Sequence, residues 1–315
     1  MVVAQVFTKC EESIYTYDSS TELSHPEPVP SREMVEDFNQ NGFILIRNLL
    51  DSNETRKLLE SQQHAFVKHR MPKHMDAVPM AFWNAPGNDV MGAAAQCSKL
   101  AGVAQQLLNK GELYLYHGKT VMKEPNTKGV LRWHQDYGYW YYNGCPYPDM
   151  VTTITALTDS NPQNGGLQVV AGSNRCGRID HKQVGGGKGK VAQMQADPER
   201  MELLAKKLRT LDISMQAGDT VFLHSNTLHA SGQNTSTDSA RWHILFAYNA
   251  ANNCPKVKHH HACYGDYELK RLPATAIKEC EQIIMDDTHA YMTPNQNPFV
   301  DADEQSNKPG IKMDH

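Results

Sequence analysis

Apolar residues recur in two rhythms along the chain, and the rhythm changes near Gly111. Before it, Met34, Val35 and Phe38 stand at helical spacing, with Gly42 placed as a C-terminal cap. Phe43-Ile44-Leu45-Ile46 reads as a short buried strand. Asp51-Ser52-Asn53-Glu54 has the form of a capping box, opening a helix with Leu58, Leu59, Ala65 and Phe66 on one face. A third helical pattern covers 91–109 through Leu100, Val103, Ala104, Leu107 and Leu108, whereas the three prolines of 71–87 predict a loop. Past Gly111 the period shortens to that of strands, in ELYLYHGKTVMKEP, VTTITALTD, GLQVVAG, DTVFLH and WHILFAYN, punctuated by Gly, Pro and Asn clusters. Helices followed by many short strands predict a mainly β protein of α+β type, a two-sheet jelly roll with helices packed on one side.

The expected organisation is a single domain over 1–315: an extended lead-in (1–30), helical support (31–110), a jelly-roll core (111–250) and a C-terminal extension (251–315) with a polar end. The 31 basic residues against 35 acidic ones, without a dense basic block, argue against nucleic acid or an anionic membrane as partner. Neither a secretory leader nor a spanning segment is evident, and the seven cysteines are scattered without C-x-x-C pairs. Reduced thiols in a cytoplasmic, soluble protein are the expectation; oligomeric state stays open.

Candidate chemistry centres on LRWHQDYGYW, residues 131–140. Side chains two apart on a strand share a face, so His134 and Asp136 can offer an imidazole and a carboxylate to one ion. Alone, the tripeptide reads better as a solvated turn than as a metal site. His229 is a third ligand candidate far downstream, and two His with one carboxylate form the facial triad of non-haem Fe(II) oxygenases. Turn-forming residues separate His229 from Arg241, which places the two on adjacent strands of one hairpin. Arg241 opens the apolar strand WHILFA, where a guanidinium needs an anion, and a dicarboxylate would supply one, with Ser231 as a hydroxyl donor. A structural ion pair is the alternative for Arg241. The glycine-rich block 164–173 forms a turn and tight strand that return toward the ligands. His224 competes with His229 but lies within the strand DTVFLH. GGGKGK (185–190) lacks the Ser or Thr of a phosphate loop, and His259-His260-His261 reads as a solvated loop.

HQD, NGGLQVVAGS, GDTVFLH, LHASGQN and the later Arg, in this order and spacing over 32–250, resemble the phytanoyl-CoA dioxygenase family of Fe(II)/2-oxoglutarate-dependent oxygenases. The resemblance implies a double-stranded β-helix of cupin-like jelly-roll type. It also implies Fe(II) on His134, Asp136 and His229, 2-oxoglutarate on Arg241 and Ser231, and O2 as the oxidant. Lys119, Gln135 and Thr155 correspond to cosubstrate-pocket positions. The activity implied is oxidation, foremost hydroxylation, of a C–H bond in a small polar or carboxylated metabolite. The alternatives are oxidative cyclisation or desaturation in natural-product biosynthesis, and a non-catalytic cupin-like metal-binding module. Halogenating relatives replace the carboxylate, so Asp136 argues for oxygenation. Trp140, Tyr116, His117, Arg132 and His243, with Trp83, are candidate substrate contacts, and 177–200 is a candidate lid.

Overall fold

Strand β4 (Leu113–Lys123) is the long axis of the larger sheet. The computed structural model describes residues 13–17, 28–68, 78–83, 85–185, 193–255 and 267–285. Among these, the larger sheet runs β1 (Ile14–Thr16), β2 (Phe43–Arg47), β11 (Thr220–His224), β6 (Met150–Ala156), β13 (Arg241–Ala250), β4 and β14 (Tyr267–Glu268), with β3 (Met80–Trp83) also paired to β4. The smaller sheet runs β10 (Thr210–Ile213), β7 (Leu167–Val170), β12 (His229–Ser231) and β5 (Leu131–His134). A separate hairpin pairs β8 (His181–Val184) with β9 (Gln193–Ala196).

Alternation along the large-sheet strands sorts residues into two cores. Leu45, Val121, Ile154, Val221 and Leu245 point inward against Leu167 and Val169 of the small sheet. Their neighbours Ile44, Phe222, Ile244 and Phe246 point outward beneath the helices, with Leu58, Leu100 and Leu107. Those helices are α1 (Arg32–Asn41), α2 (Ser52–Lys68), α3 (Val90–Gln96) and α4 (Val103–Leu108). The result is the mainly β jelly roll with helices on one sheet that the sequence predicts.

Three local expectations are corrected. The proline-rich 71–87 contains β3, whose Trp83 packs outward on β4; a Cβ at Gly118 would lie 2.3 Å from the Trp83 ring, so this close approach requires glycine. Trp83 is therefore a helix-side core residue and not a substrate contact. The helix expected over 91–109 breaks at Cys97, which is extended (φ −70°, ψ 151°), and resumes through a wide π turn at Ser98–Gly102. Finally, β12 and β13 are not partners in one hairpin: β12 pairs with β5 and β7, β13 with β4 and β6. The chain from 232 to 240 crosses between sheets, so His229 and Arg241 enter the interior from opposite walls. Of GGGKGK, residues 186–190 lie outside the described residues, as do His259-His260-His261 and the polar end.

Candidate active site

His134 is the last residue of β5, directly opposite His229 in the antiparallel register, so both rings leave the same face and their centroids stand 4.2 Å apart. Gln135 is extended (φ −102°, ψ 138°) and carries the alternation one step past the strand, to Asp136 at the first position of α5 (Asp136–Trp140). Ligand atoms of His134, Asp136 and His229 lie within 4.8 Å of one another. Asp136 Oδ1 is 3.7 Å from His134 Nε2 and 3.8 Å from His229 Nε2.

Each ring is oriented from behind. His134 Nδ1 faces the Arg132 carbonyl at 2.6 Å and His229 Nδ1 faces that of Thr227 at 3.0 Å. A carbonyl only accepts, so the proton sits on Nδ1 and the Nε2 lone pair points into the cluster. The Thr152 hydroxyl donates to Asp136 Oδ2 at 2.7 Å. Burial, with the charge of His229, pushes His134 well below its ordinary pKa, and burial likewise lowers His229. Burial alone would raise Asp136, but His229, Lys119, His134 and the Thr152 hydrogen bond outweigh it and hold the carboxylate below its usual range. Two neutral imidazoles and one carboxylate, with one ligand atom from each within 4.8 Å of the others, suit a divalent cation. His224 does not join them: its ring lies 6.0 Å from Phe38 and its Nδ1 accepts from the Asn226 amide.

A second polar group faces the same interior. Arg241, 2 % exposed, donates through one terminal nitrogen to the Gly165 carbonyl at 2.5 Å, so the glycine block does reach the site. Its Nε has no protein partner among the described residues, nor has His243 Nε2 beside it. Lys123 Nζ donates to Ser231 Oγ at 2.8 Å and also meets the Gly232 carbonyl. Burial, then the Arg241 charge, pushes Lys123 down to about 6; burial takes Arg241 to about 9. Neither cation is paired with a carboxylate among the described residues. Buried cations without an anion are costly, and the arrangement fits a site for an acid brought from outside.

Beside the cluster opens a cavity of about 70 Å³, walled by Phe82, His117, Lys119, Tyr139, Trp140 and Gln193 together with His134 and Asp136. Several expectations are corrected here. Gln135 faces away from the interior: its amide donates to the Gly177 and Asn226 carbonyls and accepts from the Ile179 amide. Thr155 lies on the helix side of β6, hydrogen-bonded to Thr220, because odd positions of that strand point outward. Lys119 lines the open cavity, while Lys123 is the lysine that meets Ser231. Tyr116 is buried beneath Trp140, ring centroids 5.5 Å apart. Arg132 turns to the surface and reaches Gln195, and His243 is a buried, neutral ring beside Arg241 and Lys123. His117 and Trp140 do line the cavity. The hairpin β8–β9 within 177–200 meets its rim, where the Tyr139 hydroxyl bonds both backbone groups of Met194.

Sequence reasoning missed Lys123, Thr152, Phe82, Gln193 and His181. Lys123 had a signal, since Lys119, Val121 and Lys123 alternate along one strand and share its inner face. His181 Nε2 accepts the Gln135 amide at 2.9 Å from a distant segment, and nothing local announces it.

The family profile described as "Phytanoyl-CoA dioxygenase (PhyH)" matches residues 38–242. Among similar curated proteins, the ectoine dioxygenase of Bordetella parapertussis is 27 % identical over 238 residues, 71 % of this chain and 76 % of that protein. The L-proline trans-4-hydroxylase of Streptomyces griseoviridis is 26 % identical over 233 residues, 69 % of this chain and 86 % of that one. The crystal structure of EctD from S. alaskensis with 2-oxoglutarate and 5-hydroxyectoine superposes with a TM-score of 0.62 at 21 % identity, over 79 % of this chain and 92 % of that one.

Proposed function

Since the chain belongs to the phytanoyl-CoA dioxygenase family and is an Fe(II)/2-oxoglutarate-dependent oxygenase of small polar metabolites, we propose that His134, Asp136 and His229 hold the iron. In the same reading Arg241, Ser231 and Lys123 hold 2-oxoglutarate. The observation that carries this assignment is the triad sharing one interior with buried Arg241 and Lys123, neither of which meets a carboxylate among the described residues. With O2, bound Fe(II) and 2-oxoglutarate supply the oxidising power that converts C–H to C–OH while 2-oxoglutarate leaves as succinate and CO2.

The chain's own residues do the rest. The Arg132 and Thr227 carbonyls fix the imidazole tautomers, and Thr152 fixes the carboxylate, so the ligand set is preorganised. Arg241 and Lys123 gain, in a bound dicarboxylate, the counter-charge that burial denies them. Phe82, Tyr139 and Trp140 exclude water and confine the substrate beside the cluster. Hydroxylation of a compact polar ring, the reaction type borne by the names of the ectoine and proline relatives, is the reaction proposed here.

Under anaerobic conditions Fe(II) with 2-oxoglutarate should give the visible charge-transfer band of this enzyme class, and Asp136→Ala should abolish it. An equal band in both proteins would sink the ligand assignment. A substrate screen scored by succinate release and product mass then separates outcomes: a gain of one oxygen is hydroxylation, a loss of two hydrogens is desaturation or cyclisation.

A further inference from the structure

Strand β13 turns Arg241, His243, Leu245 and Ala247 to the interior, because Trp242, Ile244 and Phe246 between them pack on the helix side. At one end Arg241 stands opposite Lys123 of β4. At the other, Ala247 stands opposite Thr152 of β6, whose hydroxyl holds Asp136 of the triad. His243 is the first inward residue on the way from the guanidinium to the metal ligands. Its neighbours in register, Val121 and Ala156, are aliphatic, and so are Leu245 and Ile154 one step on. His243 is nevertheless 3 % exposed, and its Nε2 is a buried atom with no hydrogen-bond partner among the described residues. An aliphatic side chain would fill this place without the cost of an unpaired buried nitrogen. Burial, then the charges of Arg241 and Lys123, push the ring well below its ordinary pKa, so it is neutral and carries one N–H and one lone pair. Arg241 and Lys123 hold donors only, so neither can accept from an Nε2–H, whereas a carboxylate can. The unpaired Nε of Arg241 stands at the preceding inward position, so two buried nitrogens mark one place for one acceptor group.

Resting on the iron and cosubstrate reading above, we propose that His243 is a further cosubstrate-binding residue, whose Nε2–H donates to the far carboxylate of 2-oxoglutarate beside Arg241. A charge attracts a carboxylate from a distance and from many directions. A neutral N–H acts only within hydrogen-bond reach and along its own axis, so His243 fixes where that carboxylate lies. With the other end of the molecule held at the triad, the ring selects a diacid over a 2-oxo acid that lacks the second carboxylate.

The test loads the full chain anaerobically with Fe(II) and titrates the visible band with 2-oxoglutarate and with 2-oxovalerate, which keeps the 2-oxo acid end but has a methyl group in place of the far carboxylate. His243→Phe should raise the half-saturating 2-oxoglutarate concentration about tenfold or more and leave that of 2-oxovalerate unchanged. His243→Gln, which keeps an N–H donor, should stay near the parent protein. Unchanged 2-oxoglutarate binding in His243→Phe overturns the proposal. So does an equal weakening of both acids, which would mark the ring as structural, or a His243→Gln no better than His243→Phe. Should 2-oxovalerate give no band with the parent protein, Fe(II) affinity becomes the control: it must be unchanged in His243→Phe, and a joint loss of iron and 2-oxoglutarate overturns the proposal. If 2-oxoglutarate gives the parent protein no band, the iron and cosubstrate reading falls, and this inference with it.

Discussion

Arg241 is buried to 2 % exposure with its Nε facing no acceptor among the described residues. Removing it should weaken 2-oxoglutarate binding on the order of 100-fold, as truncating one partner of a desolvated charge pair does. Titrating the visible band against 2-oxoglutarate in Arg241→Ala checks this; an unchanged requirement would remove Arg241 from the cosubstrate site. Lys123 adds a pH dependence. It titrates near 6 in the ligand-free protein against an ordinary 10.5, facing Arg241 and His243 from β13 and Ser231 from β12. Between those values the unfolded chain holds a proton the folded one lacks, so this group makes the ligand-free fold more stable as pH rises. A bound dianion favours the charged lysine, so binding takes up a proton and 2-oxoglutarate affinity should fall as pH climbs above about 6. Lys123→Met should flatten that profile. At this scale the triad was legible only in combination: His134 and Asp136 at that spacing have a bland reading as a turn, and it was the downstream His229, Ser231 and Arg241 that tipped the balance. Gln135 and Thr155 were misread because motif correspondence ignores parity: each sits one residue from an inward position and points the other way.

Short elements hold the ligands in place through contacts between segments. Gln135 ties its own turn to 177–179 and to Asn226, one residue before the Thr227 that orients His229. His181 holds the Gln135 amide, and its ring fills the space over Gly138, where a Cβ would lie 2.2 Å from Cε1. Gly138→Ala should therefore push His181 off the turn and loosen both ligand arms. The expected result is an iron affinity lowered by about 10-fold or more, in line with losses of outer supporting partners, in a protein that still folds. Equilibrium titration with Fe(II) measures it, and affinity equal to the parent protein would show that the turn stands without His181. The elements missed in the sequence share one cause. β3 is hidden among prolines because its pairing depends on β4, and the His229–Arg241 connection looks like a hairpin because turn residues do not reveal which sheet the next strand joins.

Across the whole molecule, several histidines are buried in their neutral form. Burial takes His181 down to about 4 from an ordinary 6.5, and His134, His229 and His243 are lowered as well. Below 6.5 the unfolded chain takes up protons that the folded chain refuses, so stability should fall from pH 6.5 downward. His181 alone contributes a loss of about 3 kcal/mol by pH 4. Denaturant unfolding of the metal-free protein across that range checks the slope, and a flat profile would mean these rings are not buried neutral. The layer order was legible, because a helical rhythm followed by strand alternation leaves few ways to bury both. Which sheet owned which half of the site was not. The pleat of β4 fixes something further: Lys119 and Lys123 are spaced four residues apart on one rigid strand, about 13 Å along it. The strand acts as a ruler that keeps Lys123 at Ser231 and Arg241 while Lys119 stays in the cavity wall beside the triad. A change at 119 would therefore reshape the cavity wall beside the triad and leave the buried Lys123–Ser231–Arg241 cluster as it stands.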